Sequence, residues 1–181
     1  MVHMEYLDRP IAVTDVETSG LIAGHHEIVE IGLVLVDQKS FKILNAYEVK
    51  TKIDHPERFD EKARELNGYN EADWADAKPL FKAMVCYNTL AKEAIFCSHN
   101  ITFDWGFIDQ AYKQIGLKNL MDYHRLDTPT MAWLKLMSRG LTSVSLDNVA
   151  KFLGLEPEPP IHRAINGAML AYEVLKKLKS M

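Results

Sequence analysis

The chain has 181 residues, of which 48% are hydrophobic and 25% are charged, and its formal net charge is -4. This composition is typical of a soluble globular protein, and the length predicts one domain over residues 1–181 with its core at about 9–178. The negative charge excludes a global basic field for nucleic-acid binding, but it allows an acidic metal centre beside a local basic rim.

Cysteine usage and hydropathy predict the compartment. Cys86 and Cys97 have neither CxxC spacing nor a paired histidine motif, so we interpret both as buried free thiols in a reducing environment. No apolar run approaches the length of a membrane span, and "MVHMEYLDRP" lacks the basic and apolar regions of a signal peptide. We therefore expect a cytoplasmic protein that does not interact with membranes.

The first third of the chain predicts a β-meander followed by a helix. "PIAVTDVE" (10–17), "HEIVEIGLVLVD" (26–37) and "FKILNAYEVK" (41–50) are rich in β-branched residues and are joined by short polar links. A helical pattern begins at Pro56 and ends at Gly68, and Asn70 is the expected N-cap of a short turn after it.

The remainder alternates helices with a short strand. Thr102 is the expected N-cap of a helix that ends at Gly116, and two prolines before residue 161 mark the start of the terminal helix. The whole pattern indicates an α/β or α+β domain, and we expect the α/β class, with a mixed, twisted sheet and helices on its faces. The predicted segments are a helix over 79–93, a strand over 94–98, and helices over 102–116, 128–137, 145–154 and 161–179.

Two acids end the first predicted strand on one face. Because side chains alternate in a strand, Asp15 and Glu17 point the same way as Ile11 and Val13. Two partly desolvated acids repel each other unless a cation lies between them, and the alternative is a pair of solvated strand-end acids. Asp104 follows another strand and lies in the first turn of a helix, where the helix dipole also favours an acid.

The third cluster is "PPIHRAINGAMLA", where a helix contains a glycine. An interior glycine costs about 0.5–1 kcal/mol relative to alanine, so Gly167 needs a reason. On a regular helix His162 and residue 167 would point about 140° apart, so they converge only if His162 lies in an irregular segment before the helix. The alternative for His162 is a surface or capping histidine.

Together these clusters indicate a centre for hard divalent cations. Asp and Glu oxygens select Mg²⁺ or Mn²⁺, whereas zinc would require more His or Cys. Two such ions stabilise the attacking and leaving oxygens in phosphodiester cleavage, and a nearby histidine can accept the proton of water.

The ordered motifs "DVETSGL", "HNITFD" and "HRAINGA", with "EIVEIG" and "SLDNVAKFLG" between them, resemble the DEDDh exonucleases. These DnaQ-like enzymes are related to the proofreading subunit of bacterial DNA polymerase III, and the resemblance covers about residues 9–175. It implies a ribonuclease H-like fold and 3′ to 5′ hydrolysis of DNA or RNA by two Mg²⁺ or Mn²⁺ ions.

The resemblance also implies roles for catalytic residues. Asp15 would bridge the two metals, Glu17 would ligate one of them, and Asp104 would support the metal site, partly through water. His162 would be the general base that activates the attacking water.

The implied substrate is the 3′ end of single-stranded DNA or RNA. The backbone of Thr18 and the side chain of Leu21 would hold the terminal nucleotide, while Asn100 and Phe103 would line its path. A polymerase or another protein is a candidate partner, and the sequence leaves the oligomeric state open.

Position 167 departs from the family pattern, which places a metal-ligating Asp five residues after the histidine. Gly167 removes that ligand, so we expect weaker metal occupancy, most of all for Mg²⁺, and reduced activity. No nearby residue is an obvious substitute. Asn166 points in another direction from the helix, Glu173 lies further along the same helix, and Asp147 belongs to a different helix.

Three hypotheses therefore stay open. The first is a working exonuclease of reduced or metal-restricted activity. The second is a catalytically silent module that binds single-stranded ends or a protein, with Phe103 and Trp105 as candidate stacking residues unless they belong to the core. The third is that Gly167 is an engineered substitution that traps substrate.

Overall fold

The computed structural model describes residues 5–181. Across this range the sheet has five strands in the order β3-β2-β1-β4-β5. β1 pairs antiparallel with β2, and β2 with β3, whereas the β1–β4 and β4–β5 pairs are parallel. The strands are β1 (Ile11–Thr18), β2 (Ile28–Val36), β3 (Ile43–Lys50), β4 (Ile95–Ser98) and β5 (Arg125–Asp127).

Helices cover both faces of the sheet. Their bounds are α1 (Glu61–Asn67), α2 (Leu80–Leu90), α3 (Ile101–Ile115), α4 (Thr128–Leu136), α5 (Leu146–Phe152) and α6 (Ala164–Lys179). Short 3₁₀ turns lie at Tyr6–Asp8, Pro56–Arg58 and Met137–Arg139. The predicted mixed α/β architecture is confirmed, although the sequence did not reveal the three-residue strand β5.

The alternation of β1 divides its side chains between two cores. Ile11 and Val13 pack with α6 residues such as Ala168 and Tyr172, on the face that also carries Asp15 and Glu17. Ala12 and Val16 face the other side, where they join a cluster with α2 and α3. A third cluster joins α4 and α5 to α6, so α6 lies between the sheet and these two helices.

Several helix ends follow from single residues. Gly68 and Gly116 end α1 and α3 in the left-handed conformation, with φ of 61° and 64°, as predicted for glycines at these ends. Asn70 accepts the backbone N–H of Asp73 at 2.9 Å and so caps the turn after α1. The region predicted as one helix from residue 56 is instead a 3₁₀ turn followed by α1.

The start of α3 corrects one expectation. The helix begins at Ile101, and the backbone N–H of Ile101 donates to Asp127 at the end of β5. Thr102 is therefore not the cap; its hydroxyl donates to the Asn100 side chain at 2.9 Å. A distant carboxylate supplies this cap because the parallel pairing of β4 with β5 brings Asp127 beside the start of α3.

The two cysteines differ in exposure. Cys97 is buried in β4, as expected, but Cys86 is exposed on α2. The prediction of a buried thiol was wrong for Cys86, because successive residues of a helix point about 100° apart and only its neighbour Tyr87 is directed into the core. Within residues 5–181, no helix combines the length and apolar character needed to cross a membrane.

Candidate active site

The acids of β1 lie where the sheet meets the start of α6. Asp15 pairs with Gly32 of β2, and Glu17 pairs with Glu30. A side chain at position 32 would place its Cβ 2.1 Å from the carbonyl oxygen of Ala164. Glycine at 32 therefore lets the first turn of α6 approach the sheet, directly beside Asp15.

Gly167 faces the same carboxylate. A Cβ built on Gly167 would lie 2.6 Å from Asp15 Oδ2 and 2.7 Å from Asp15 Cγ. These distances are shorter than van der Waals contact, so the Asp15 carboxylate occupies the space in which a side chain at 167 would begin. The glycine inside α6 thus allows a close approach, at the position where the family pattern has a carboxylate.

Asp104 joins the site from α3. It is 2% exposed, and its Oδ1 accepts the backbone N–H of Val16 at 3.1 Å. Burial raises the pKa of Asp104 to about 7, although the hydrogen bond from Val16 opposes this shift. This hydrogen bond connects the "HNITFD" motif to the strand that carries Asp15 and Glu17.

The acids repel one another. Burial raises the pKa of Asp15 well above its ordinary value, and the charges of Asp104, Glu17 and Glu158 add to the effect. Burial also raises the pKa of Glu17 to about 8, where the strongest neighbouring charge is Glu158. The guanidinium of Arg163 opposes the shift at Glu17. The site therefore carries an excess of negative charge.

Glu30 is a member of this cluster to which the sequence analysis gave no role. It is fully buried in β2, and its Oε2 accepts the backbone N–H of Ala164, the first residue of α6, at 3.1 Å. Its Oε1 has no hydrogen-bond partner among the described residues. A lone charged residue inside the apolar run "IVEIG" was the signal that could have identified it.

His162 lies before α6 rather than within it. Its backbone N–H donates to Leu66 at 2.9 Å, and α6 begins two residues later, at Ala164. The helix was predicted to begin at residue 161, so this boundary is corrected. His162 therefore lies in an irregular segment before the helix, which is the condition under which it can converge with the face of Gly167.

The end of α1 connects the histidine motif to β1. The Arg163 guanidinium donates to the Asn67 carbonyl at 2.5 Å, and the Asn67 side-chain amide donates to the Thr18 carbonyl at 3.1 Å. Asn67 is 1% exposed, so these contacts are shielded from water. They hold the segment before α6 against the end of β1.

The residues expected to contact substrate lie at two chain segments beside the acids. Thr18 is buried and donates its hydroxyl to the Gly20 carbonyl at 2.7 Å, while Leu21 is 77% exposed. Asn100 is exposed with φ of 73°, immediately before α3. Phe103 is partly buried and packs on Phe107, with ring centroids 5.1 Å apart.

Trp105 contacts residues of the sheet. Its ring packs against Phe96, with centroids 5.1 Å apart, and the Arg125 guanidinium lies 3.6 Å from its centroid. These contacts agree with the core interpretation of Trp105 rather than with a ring that is free to stack on a base.

The donor set matches a hard divalent cation by charge and chemistry. Carboxylates predominate, and burial makes their mutual repulsion costly without a cation. In the part of the chain that the structure describes, no three His, Cys, Asp or Glu side chains are already grouped as metal ligands. Cation binding would thus require these side chains to draw together.

Comparison with known proteins identifies the family of the chain. A family model described as exonuclease, RNase_T, matches residues 12–175. The PolC-type DNA polymerase III of Caldanaerobacter subterraneus subsp. tengcongensis is 28% identical over 172 residues, covering 95% of this chain and 12% of the polymerase. That of Thermotoga maritima is 28% identical over 176 residues, covering 96% of this chain and 12% of the polymerase. The chain therefore spans a small part of these curated relatives.

Solved structures share the fold at low sequence identity. E. coli exonuclease I in complex with a dT13 oligonucleotide has a TM-score of 0.80 and 14% identity, covering 95% of this chain and 41% of that chain. The nuclease domain of 3′hExo, a DEDDh family member bound to rAMP, has a TM-score of 0.73 and 13% identity, covering 98% and 94%. The ribonuclease H-like fold predicted from the motifs is confirmed, and the chain belongs to the RNase_T family of DnaQ-like exonucleases.

Proposed function

We propose that this chain is a 3′ to 5′ exonuclease that releases nucleotides from the 3′ ends of single-stranded DNA or RNA. The observation that carries the proposal is the convergence of Asp15, Glu17 and Asp104 at one end of the sheet, in a chain of the exonuclease family. Such a set of carboxylates is suited to Mg²⁺ or Mn²⁺.

The carboxylates and His162 have separate tasks in this proposal. Asp15, Glu17 and Asp104 would hold two divalent ions, which when bound supply charge stabilisation to the attacking and leaving oxygens. His162 accepts a proton from water as the water oxygen bonds to phosphorus. The bond from phosphorus to the 3′ oxygen of the preceding nucleotide breaks, and that oxygen takes a proton from solvent water. The products are a shortened strand with a 3′ hydroxyl and a nucleoside 5′-monophosphate.

The substrate residues surround the end of β1. Exposed Leu21 offers an apolar surface to the terminal base, while the Thr18 backbone holds the nucleotide. Asn100 and Phe103, at the start of α3, line the path of the preceding nucleotides. The PolC-type relatives are DNA polymerases, and we therefore propose a polymerase as partner and a cytoplasmic location.

In this proposal Gly167 determines which divalent metal supports the higher activity. One carboxylate of the family pattern is absent, so water and other groups must complete the coordination. Mg²⁺ demands nearly ideal octahedral geometry, and Mn²⁺ binds a given site more tightly. We therefore expect activity in Mn²⁺ to exceed activity in Mg²⁺.

A time course on 5′-labelled single-stranded DNA and RNA tests the proposal. The wild-type chain should produce a ladder of shortened 5′-labelled products in Mn²⁺, and Asp15→Asn should slow it by about a hundredfold because the ions and water lose their positions. Glu65→Gln, an exposed acid on α1, is the matched control and should leave the rate unchanged. Release of labelled mononucleotide at the outset, or equal rates for wild type and Asp15→Asn, would contradict the proposal.

One observation favours a second candidate, a silent module that binds nucleic-acid ends without cutting them. The Asp15 carboxylate fills the space that a Cβ at position 167 would take, at the position where the family pattern has a metal ligand. The same time course separates the two functions. Binding of labelled strands without shortening in either metal, with cleavage restored by Gly167→Asp, would establish the silent module.

A further inference from the structure

The segment between α5 and α6 brings another carboxylate to the site. It runs from Leu153 to Arg163 and contains "EPEPP", whose last two prolines, Pro159 and Pro160, prevent α6 from extending further towards its N-terminus. Glu158 lies in this segment, nine positions before Gly167. Its side chain is partly buried, whereas Glu156, two residues earlier, is exposed.

One oxygen of Glu158 lacks a partner. Oε1 is buried, and within residues 5–181 no group forms a hydrogen bond to it. A buried carboxylate oxygen is costly unless a donor or a cation satisfies it. The Oε1 atom of Glu30, in the same acid cluster, is likewise buried without a hydrogen-bond partner among the described residues.

The surroundings of Glu158 identify it as part of the acid cluster. Its charge acts on both Asp15 and Glu17, and it exceeds every other neighbouring charge at Glu17. On another side it is near His162 and Asp147, and His162 is the principal positive group acting on it. Glu158 is thus within electrostatic reach of the acids of β1 and of the histidine, and it lines a cavity together with Asn166, the neighbour of Gly167.

We propose that Glu158 supplies the carboxylate ligand that Gly167 lacks, so that Asp15, Glu17, Asp104 and Glu158 together bind the divalent cations. The inference rests on the proposed exonuclease function and deepens it. It replaces a ligand inside α6 with one from the segment before the helix, and the replacement leaves the Asp15 carboxylate free to contact Gly167.

A titration with Mn²⁺ tests this role without relying on activity. Free Mn²⁺ is measured by its electron paramagnetic resonance signal for wild type, Glu158→Gln, Glu156→Gln and Asp15→Asn. Glu158→Gln should weaken Mn²⁺ binding about tenfold or more, since removing even a group that only supports a metal ligand costs about 10–100-fold in affinity. Glu156→Gln removes the same charge from an exposed position of the same segment and should change affinity less than about twofold.

The variants separate the possible failures. If Asp15→Asn weakens Mn²⁺ binding and Glu158→Gln does not, the role of Glu158 is overturned while the proposed function stands. If wild type shows no Mn²⁺ binding that depends on Asp15, the metal chemistry of the proposed function fails, and this inference fails with it.

A rescue variant guards against a folding defect. Glu158→Gln/Gly167→Asp returns a carboxylate to the family position, and we expect it to bind Mn²⁺ more tightly than Glu158→Gln alone. Metal-free thermal melting checks that both variants are folded. If Mn²⁺ affinity is unchanged in Glu158→Gln but the pH profile of cleavage shifts, Glu158 orients His162 instead, and the ligand role is overturned.

Discussion

Replacing Gly167 with Asp tests the contact between α6 and β1. A Cβ at 167 would lie 2.6 Å from Asp15 Oδ2, so the Asp15 carboxylate must turn away to admit the new side chain. The two carboxylates would then be about 4–5 Å apart, and at an effective dielectric constant of about 20 they would repel by about 3–4 kcal/mol.

The net effect is smaller than the repulsion. Asp gains a few tenths of a kcal/mol over Gly in helix propensity, and partial protonation relieves some of the repulsion. We expect Gly167→Asp to lose about 2–3 kcal/mol of unfolding free energy without metal, which corresponds to a fall of about 4–12 °C in Tm for a chain of this size. Saturating Mn²⁺ should recover this loss, because a cation between the acids removes the repulsion.

Calorimetric melts of wild type, Gly167→Asp and Gly167→Asn measure the effect, first in EDTA and then in Mn²⁺. Asn matches the size of Asp without its charge, so the difference between the two variants isolates electrostatics from the clash with Asp15. We expect Asn to melt higher than Asp in EDTA and lower in Mn²⁺. Equal melting temperatures in EDTA would refute the conclusion that position 167 faces the acid cluster.

Two further predictions concern the metal-free protein. The pKa values of Glu17 and Asp104 rise to about 8 and about 7 on folding, from ordinary values of 4.5 and 3.8. The folded chain therefore binds more protons than the unfolded chain between these limits, and its stability should fall as pH rises from about 4 to about 8, by up to about 1.4 kcal/mol per pH unit for each proton. Melts in EDTA across this range check the sign, and a rising Tm would contradict it. In urea unfolding, Gly32→Ala should lose about 3 kcal/mol, because its Cβ would lie 2.1 Å from the Ala164 carbonyl oxygen. The matched variant is Gly106→Ala in α3, where the new Cβ would lie 3.8 Å from its nearest neighbour, and it should gain about 0.5–1 kcal/mol of unfolding free energy. Similar urea midpoints for the two variants would show that α6 does not approach β2 as described.

Local rules predicted most of the elements. The two-residue period of a strand placed Asp15 and Glu17 on the face of Ile11 and Val13, and the structure confirms this arrangement. The glycines that end α1 and α3 were also predicted, because a left-handed helix end is a preference of a single residue. The start of α3 was missed, since its cap comes from Asp127, distant in sequence.

The same division holds for the active site. The sequence alone determined which carboxylates exist, their order, the family resemblance and the absence of an acid at 167, because these depend on residue type and spacing. Only the tertiary structure placed the Asp15 carboxylate against Gly167 and brought Glu30 and Glu158 within electrostatic reach of it. These contacts join residues far apart in the chain, and they depend on how closely α6 packs on the sheet and how the segment before it folds back. No local periodicity encodes such distances, since packing and desolvation act on neighbours in space rather than in sequence.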